Sequence, residues 1–589
     1  MENNLKVQEP VFDPKCRHVQ VMERTFTNVS KQEAILRSNV FLELVLSAGY
    51  DTLSCYASGW GKEFSGRQIN NLSNYAFQNT RGRCSAESAP FFTLSGNDMH
   101  IDFAICTSGN YKVLLERDNR QTLLSISDPD EEFSTMLAPG ETFAFPRILA
   151  HIYSDAAEGC RIRQEFLTRT LSPHPVYHRM PTIYNHWWAY EDRQICEEVI
   201  LQNAAAAGRI GIEMLVLDAG WFGHDSLTEE WFRVRGDWEN VNHSRFPHGL
   251  SWLRERLKEL GLKMGIWCEL EGLGPDSELL REHPEYAAVR DGENLGYVCF
   301  ASPQVQEWAY QTMSRLFREC GSAYWKLDFN LDPGLGCNAP GHGHGQRDGL
   351  VRHYKGLYRV LDRIRADFPD LVIENCSSGG QRLNLEMAGH THVHFLSDPD
   401  YSTHQMHQFK EASKWFLPKQ LLHFMWSNTV CTNGGPPFGN LDLDALAPHE
   451  IAYHMRLAMM HQFGISHRLT EYSDRTLALI RTNLAQYKEL IRPFVSDGRY
   501  LPLYLSEHIN IFSFTRRADS LVLLFAEEAG EVYFDLSLLF YGILPSGTCR
   551  IQDPDYGTER KLTFPKDSIQ TFSAEDKWTS RLMHLHFKL

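Results

Sequence analysis

Between about residues 180 and 490 the chain repeats one pattern: a short apolar run, a turn, a helical stretch, then another apolar run. Ile183-Tyr184-Asn185-His186-Trp187, Met214-Leu215-Val216-Leu217-Asp218, Lys263-Met264-Gly265-Ile266-Trp267, Tyr324-Trp325-Lys326-Leu327-Asp328, Leu371-Val372-Ile373-Glu374-Asn375-Cys376 and Val393-His394-Phe395-Leu396-Ser397-Asp398 are its clear members. Fainter runs near 422–427 and 463–469 bring the set to eight. Strands that alternate with helices build a parallel sheet, because each crossover is itself a helix. Eight such units over about 300 residues predict an α/β fold of the (β/α)8 type, a TIM barrel. A doubly wound open sheet is the alternative, but no Gly-x-Gly-x-x-Gly turn follows an early strand.

The flanks read differently. Runs such as Val40-Phe41-Leu42-Glu43-Leu44-Val45-Leu46 and Tyr111-Lys112-Val113-Leu114-Leu115, separated by turn residues, predict an N-terminal β-sandwich over 1–175. Ser172-Pro173-His174-Pro175 reads as a linker into the barrel, 176–490. Ile509–Phe514 and Ser520–Phe525 predict a C-terminal antiparallel β domain, a small sandwich, over 491–589.

A net charge of -16 opposes a nucleic-acid partner, which needs a basic face, and gives no reason for docking on an anionic membrane. No run approaches the roughly 18 apolar residues of a membrane span. The polar N-terminus has no apolar core of a signal peptide. Thirteen cysteines without regular spacing make no disulfide framework, so a reducing, cytoplasmic setting is expected.

The strand ends carry the chemistry. Trp187, Asp218, Glu269, Asp328, Cys376 and Asp398 close successive runs, and on a barrel such ends converge on one pocket. Strand alternation puts Lys326, Asp328 and Asn330 on one face, with Trp325, Leu327 and Phe329 on the other. Asp328 and Asp398 end the fourth and sixth strands, and two facing carboxylates point to glycoside hydrolysis. Lys326 would keep Asp328 ionised as nucleophile, while Asp398 needs a raised pKa to serve as acid and then base. Gly341-His342-Gly343-His344-Gly345 has no carboxylate or cysteine at ligand spacing and reads as a mobile loop over the pocket. The His390, His392 and His394 triplet reads as pocket or core residues on one strand face. Neither a metal nor a cofactor is expected.

Several motifs in order resemble glycoside hydrolase clan D, family 36, the α-galactosidase and α-N-acetylgalactosaminidase-like enzymes. They are Trp221-Phe222-Gly223, Gly236-Asp237-Trp238, Phe246-Pro247-His248-Gly249-Leu250, Trp267-Cys268-Glu269-Leu270-Glu271 and Glu374-Asn375-Cys376-Ser377-Ser378-Gly379-Gly380. The resemblance implies Asp328 as nucleophile and Asp398 as acid/base. It implies sugar contacts from Trp187, Asp218, Trp221, Trp267, Glu269, Lys326, Asn330, Cys376 and Gly379. It also leaves room for a homo-oligomer.

The departures are equally specific. Ala219 stands where the family has a second Asp, Leu327 replaces a Trp, Leu331 replaces an Arg, and Ser302 aligns with another Arg. The expectation is a retaining exo-α-glycosidase acting on a terminal α-galactoside-like residue of a glycoside. The alternatives are a modified galacto-configured sugar (β-L-arabinopyranoside, α-N-acetylgalactosaminide or α-galactosaminide), or a catalytically weak carbohydrate-binding or transglycosylating relative.

Overall fold

The computed structural model describes residues 4–171, 180–321, 323–398, 402–426, 442–517, 519–540 and 547–587. Eight parallel strands close into a barrel in chain order: β1 (Ile183–Asn185), β2 (Met214–Leu217), β3 (Lys263–Cys268), β4 (Tyr324–Leu327), β5 (Val372–Asn375), β6 (Val393–Phe395), β7 (Leu421–Trp426) and β8 (Gln462–Ser466). Closure comes from β1, which pairs with β2 on one side and β8 on the other. The expected α/β barrel with β domains at both ends is the architecture found.

Alternation along β4 sorts its side chains as the period of two requires. Tyr324 faces the barrel interior with Met214, Val372, Phe395 and Phe424. Trp325 and Leu327 face outward into the layer between barrel and helices. The helix that feeds β4, Pro303–Cys320, starts with proline in its first turn and ends at Gly321, whose φ of 92° suits only a residue without Cβ. That fixes where the chain turns back into the barrel wall.

The N-terminal residues form a six-stranded and a four-stranded antiparallel sheet over their own apolar core, followed by the helix Ala156–Leu171. The linker expected at 172–175 lies outside the described residues. After β8 a helical run ends at Asp497, and Arg499–Leu505 begins a six-stranded antiparallel sheet. One continuous core joins that sheet, through Phe512, Phe525 and Leu582, to barrel residues such as Tyr453 and Met460. His390 closes the helix Leu385–His390 rather than sharing a strand with His394, because β6 is only three residues long.

Candidate active site

Asp328 follows β4 directly and is 7% exposed. Four N–H groups donate to its carboxylate. Phe329 N (2.8 Å) and Ser378 N (3.2 Å) reach Oδ1, while Asn330 Nδ2 (2.9 Å) and Trp267 Nε1 (3.2 Å) reach Oδ2. The donors come from three successive strand ends, β3, β4 and β5, so the carboxylate is clamped by the barrel rim rather than by a flexible loop. Ser378, at the positive φ of 44°, turns its amide toward Asp328 and its hydroxyl to Asn330 Oδ1, 2.8 Å away.

Asp398 lies three residues beyond β6 and is half-buried. Burial, reinforced by the negative charge of Asp328, pushes its carboxyl up to about 7. Lys326 and a hydrogen bond from Trp60 Nε1 to Oδ2, 3.0 Å, act in the opposite direction. The two aspartates therefore sense each other and differ in surroundings: one is saturated with donors, the other is desolvated beside a like charge. Gly379, at φ 75°, passes so close that a Cβ there would stand 2.6 Å from the Asp398 amide nitrogen.

Lys326 and Asp218 form a buried ion pair across the mouth, Nζ to Oδ2 2.7 Å, and Asn185 Nδ2 donates to the same oxygen at 2.6 Å. Burial alone would raise the Asp218 carboxyl, but Lys326, then His186 and Asn185, outweigh it and hold it below the usual carboxylate range. The Lys326 ammonium also sits over the rings of Trp188 (5.0 Å) and Phe395 (5.4 Å), which favours its charged form. Cys376 is buried beside both groups, and its thiol is pushed well up by burial and then by Asp328.

Other expected contact residues are placed one layer back. Glu269 is fully buried, paired with Arg235 at 2.9 Å, and accepts from Asn330 N and Nδ2, both at 2.9 Å. It reaches the site through Asn330. Trp221 is also fully buried, and its indole N–H donates to the Trp267 carbonyl at 3.0 Å. It packs against Phe222 and Trp238 and braces Trp267 from behind. Trp187 is half-buried and packs edge-on against Trp231, 6.1 Å between centroids, and Trp231 in turn packs on Trp267.

Two departures from the family motifs pack into apolar layers. Leu327 points into the helix layer, and Leu331 packs in a satellite apolar cluster with Phe329, Tyr297 and Cys337. Ser302 stands at the N-cap position of the Pro303–Cys320 helix, its hydroxyl donating to Gln304 Oε1 at 2.9 Å. Ala219, by contrast, directly follows Asp218 and bonds its amide to that carboxylate at 2.9 Å.

Sequence reasoning missed what the N-terminal domain supplies. Besides Trp60, Arg83 is buried and donates to the carbonyls of Phe329 (3.0 Å) and Ser377 (3.3 Å), Ser378 Oγ (3.0 Å), Gln381 Oε1 (2.9 Å) and Asp332 (2.7 Å). Glu63 accepts from Ser397 Oγ at 2.8 Å, next to Asp398. No periodicity in the sequence marks these residues, because they lie on sandwich loops more than 200 positions from their partners. Among the described residues no helix is long and apolar enough to cross a membrane, and no cysteine is in a disulfide.

A closed parallel barrel with carboxylates gathered at the carboxyl ends of its strands, between two β domains, defines the class of fold. Residues 142–498 match the Melibiase family model, and the chain belongs to that family. It is 32% identical over 362 residues to α-galactosidase AgaA of Geobacillus stearothermophilus, covering 58% of this chain and 48% of that protein. It is 29% identical over 349 residues to α-galactosidase Mel36A of Lactobacillus acidophilus, covering 55% and 45%. The chain thus spans about half the length of these curated relatives. A structure of an AgaA variant in complex with stachyose superposes with a TM-score of 0.84 at 22% identity, covering 97% of this chain and 79% of that one. The α-galactosidase structure from Lactobacillus brevis gives 0.85 at 19% identity, covering 99% and 80%.

Proposed function

We propose that the protein is a retaining exo-α-glycosidase that removes a terminal α-galactoside-like residue from an oligosaccharide or simple glycoside. The observation that carries this reading is the unequal pair of aspartates. Asp328 is held rigidly by four N–H donors at the end of β4, and Asp398 stands near it with its carboxyl raised to about 7. A nucleophile needs fixed orientation, and a general acid needs its proton at working pH.

In the first step an Asp328 oxygen forms a bond to the anomeric carbon while Asp398 gives its proton to the departing glycosidic oxygen, which takes the bonding pair. The product is a glycosyl ester of Asp328 and a carboxylate at Asp398. In the second step Asp398 takes a proton from water as its oxygen attacks the anomeric carbon and expels Asp328, so both groups return to their starting states. Lys326, Asp218 and Asn330 supply charged and polar groups for ring hydroxyls. The AgaA structures in complex with stachyose and with raffinose are consistent with an α-galactoside as substrate.

A second reading rests on Ala219. A methyl group beside Asp218 removes one acidic hydrogen-bond partner from the pocket, and a missing partner costs about 1–3 kcal/mol, more when the partner is charged. A glycone with less to bind at that end, such as β-L-arabinopyranose, would lose less. Initial rates on p-nitrophenyl α-galactoside, β-L-arabinopyranoside, α-N-acetylgalactosaminide and α-galactosaminide decide the matter, with Asp328→Asn as control. The expected result is α-galactoside turnover that disappears in the control. Activity that survives Asp328→Asn refutes the nucleophile, and preference for the arabinoside selects the second reading.

A further inference from the structure

Away from the catalytic aspartates, the loop that leaves β4 and the hairpin Ala287–Arg290/Glu293–Val298 of the third βα unit bring two cysteines and two histidines together. One donor atom each from Cys299, Cys337, His342 and His344 lies within 4.8 Å of all the others. The three cluster residues Cys299, Cys337 and His342 are buried, and His344 is half-buried. A tetrahedral ion with zinc–sulfur bonds of about 2.3 Å and zinc–nitrogen bonds of about 2.0–2.1 Å needs donor separations of roughly 3.3–3.8 Å; the 3.4 Å from Cys337 Sγ to His342 Nδ1 lies in that range, and the other separations are within 4.8 Å.

The hydrogen bonding around the cluster fixes which atoms are free to ligate. His342 Nε2 lies 2.9 Å from the Glu285 carbonyl and His344 Nδ1 2.8 Å from the Gly345 carbonyl. A carbonyl only accepts, so each of those nitrogens carries the proton and the other nitrogen of each ring presents a lone pair. For His342 that is Nδ1, 3.4 Å from Cys337 Sγ. For His344 it is Nε2, which is buried without a hydrogen-bond partner among the described residues. Anchoring the far nitrogen of a histidine on a carbonyl is the usual support of a metal ligand.

The sulfurs are surrounded in the same sense. Val289 N (3.3 Å) and Ala339 N (3.4 Å) donate to Cys337 Sγ, and the amides of Ala301 and Ser302 lie against the Cys299 sulfur. Amide donors and imidazole lone pairs converge on two thiols that carry at most two protons. The Cys337 thiol carries one proton but has the imidazole lone pairs of both His342 and His344 beside it, so it can match only one of them. One cation satisfies all four groups at once.

The backbone is shaped for this approach. Gly341 and Gly343 have φ of 88° and 81°, and a Cβ on Gly343 would stand 3.0 Å from the Ala301 carbonyl oxygen. Positive φ on alternate residues lets His342 and His344 turn toward one point.

We propose that Cys299, Cys337, His342 and His344 bind a zinc ion that staples the loop after β4 to the third βα hairpin. Two thiolates and two imidazoles in a closed, buried set suit zinc in a structural role, with no open position for chemistry. This departs from the expectation that the glycine–histidine loop is mobile and metal-free. Ligand spacing along the chain could not reveal the site, since Cys299 and His342 come from different βα units.

The test is the metal content of untagged protein, purified under reducing conditions from zinc-supplemented cells, together with its absorption spectrum after exchange into cobalt. The expected result is one zinc per chain in the wild type and in Cys16→Ser, lost in Cys337→Ser and in His342→Ala. The cobalt form should show intense visible bands of a tetrahedral ion and a near-ultraviolet thiolate-to-cobalt band. That spectrum needs only the folded wild type, so a Cys337→Ser chain that fails to fold does not blunt the test. Wild-type protein without stoichiometric zinc overturns the proposal, as does a cobalt spectrum without thiolate character. Zinc retained undiminished by a folded Cys337→Ser, for instance at the half-buried group Asp519, His584 and His586, overturns it equally.

Discussion

At the scale of single residues, the raised Asp398 carboxyl sets the pH behaviour. In the proposed mechanism the glycosidic oxygen is protonated only by the acid form of Asp398, whose carboxyl is raised to about 7, so kcat/KM should fall as pH rises through that value. Trp60 adds a hydrogen bond that favours the ionised form. Removing it in Trp60→Phe leaves Lys326 alone to oppose burial and the Asp328 charge, so the carboxyl rises further. A hydrogen bond to a charged group is worth about 1.5–3 kcal/mol, and one pH unit corresponds to about 1.4 kcal/mol. The alkaline limb of kcat/KM in Trp60→Phe should therefore move upward by on the order of one unit, with a lower plateau. A limb that stays in place or moves down would detach Trp60 from the acid/base. The place of both aspartates just past the ends of β4 and β6 was legible in the sequence, because an apolar run closing on a carboxylate marks a barrel strand end. Trp60 was not, since a lone tryptophan in a turn of the sandwich carries no local sign of its partner.

At the scale of elements, the rim is held by loops that cross between domains. Arg83 reaches from a sandwich loop to the segments after β4 and β5 and fixes Ser378, which itself donates to Asp328. Its planar fork matches several acceptors at once, a geometry lysine does not reproduce. Arg83→Ala removes this donor from the Ser377 carbonyl, whereas the Phe329 carbonyl keeps Ser377 Oγ at 2.8 Å, and a buried unsatisfied group costs about 1–3 kcal/mol. Arg83 touches no substrate in this reading, so it acts through position. Turnover in Arg83→Ala should drop about tenfold or more, KM should change less, and Arg83→Lys should recover only part of kcat; 1.4 kcal/mol per tenfold is the scale. Steady-state kinetics beside a urea titration separate the two effects: equal loss of stability with unchanged kcat would make Arg83 purely structural. The eight strands were readable because a barrel strand announces itself by an apolar run with a polar end. What the sequence did not show is that Trp221 braces Trp267 from behind and that Glu269 is paired with Arg235, because neither partner is marked by strand periodicity.

At the scale of the whole molecule, sequence divides the chain into three parts while the packing joins them. Phe91 of the sandwich stacks on Trp415 at 4.9 Å and packs edge-on against Phe416 at 5.6 Å, beyond β6. Tyr354 donates to the Gly82 carbonyl at 2.6 Å, and Thr135 Oγ1 to Asp348 at 2.6 Å. On the other side the barrel and the C-terminal sheet share one apolar core, and Arg456 is paired with Asp555. Domains joined by small polar interfaces move and unfold separately, whereas a large apolar seam couples them. The site itself spans the seam, because Trp60, Glu63 and Arg83 come from the sandwich and the aspartates from the barrel. Loosening the sandwich would therefore remove the Asp398 hydrogen bond and the Ser378 anchor before any barrel strand opened. With the seam as extensive as this, the sandwich should not come loose first. In a urea titration, hydrolytic activity, tryptophan fluorescence and far-ultraviolet circular dichroism should be lost with one common midpoint. If activity vanishes at clearly lower urea than the dichroism signal, the sandwich parts from the barrel as an independent unit and the coupling argued from the seam at Phe91, Trp415 and Phe416 is wrong.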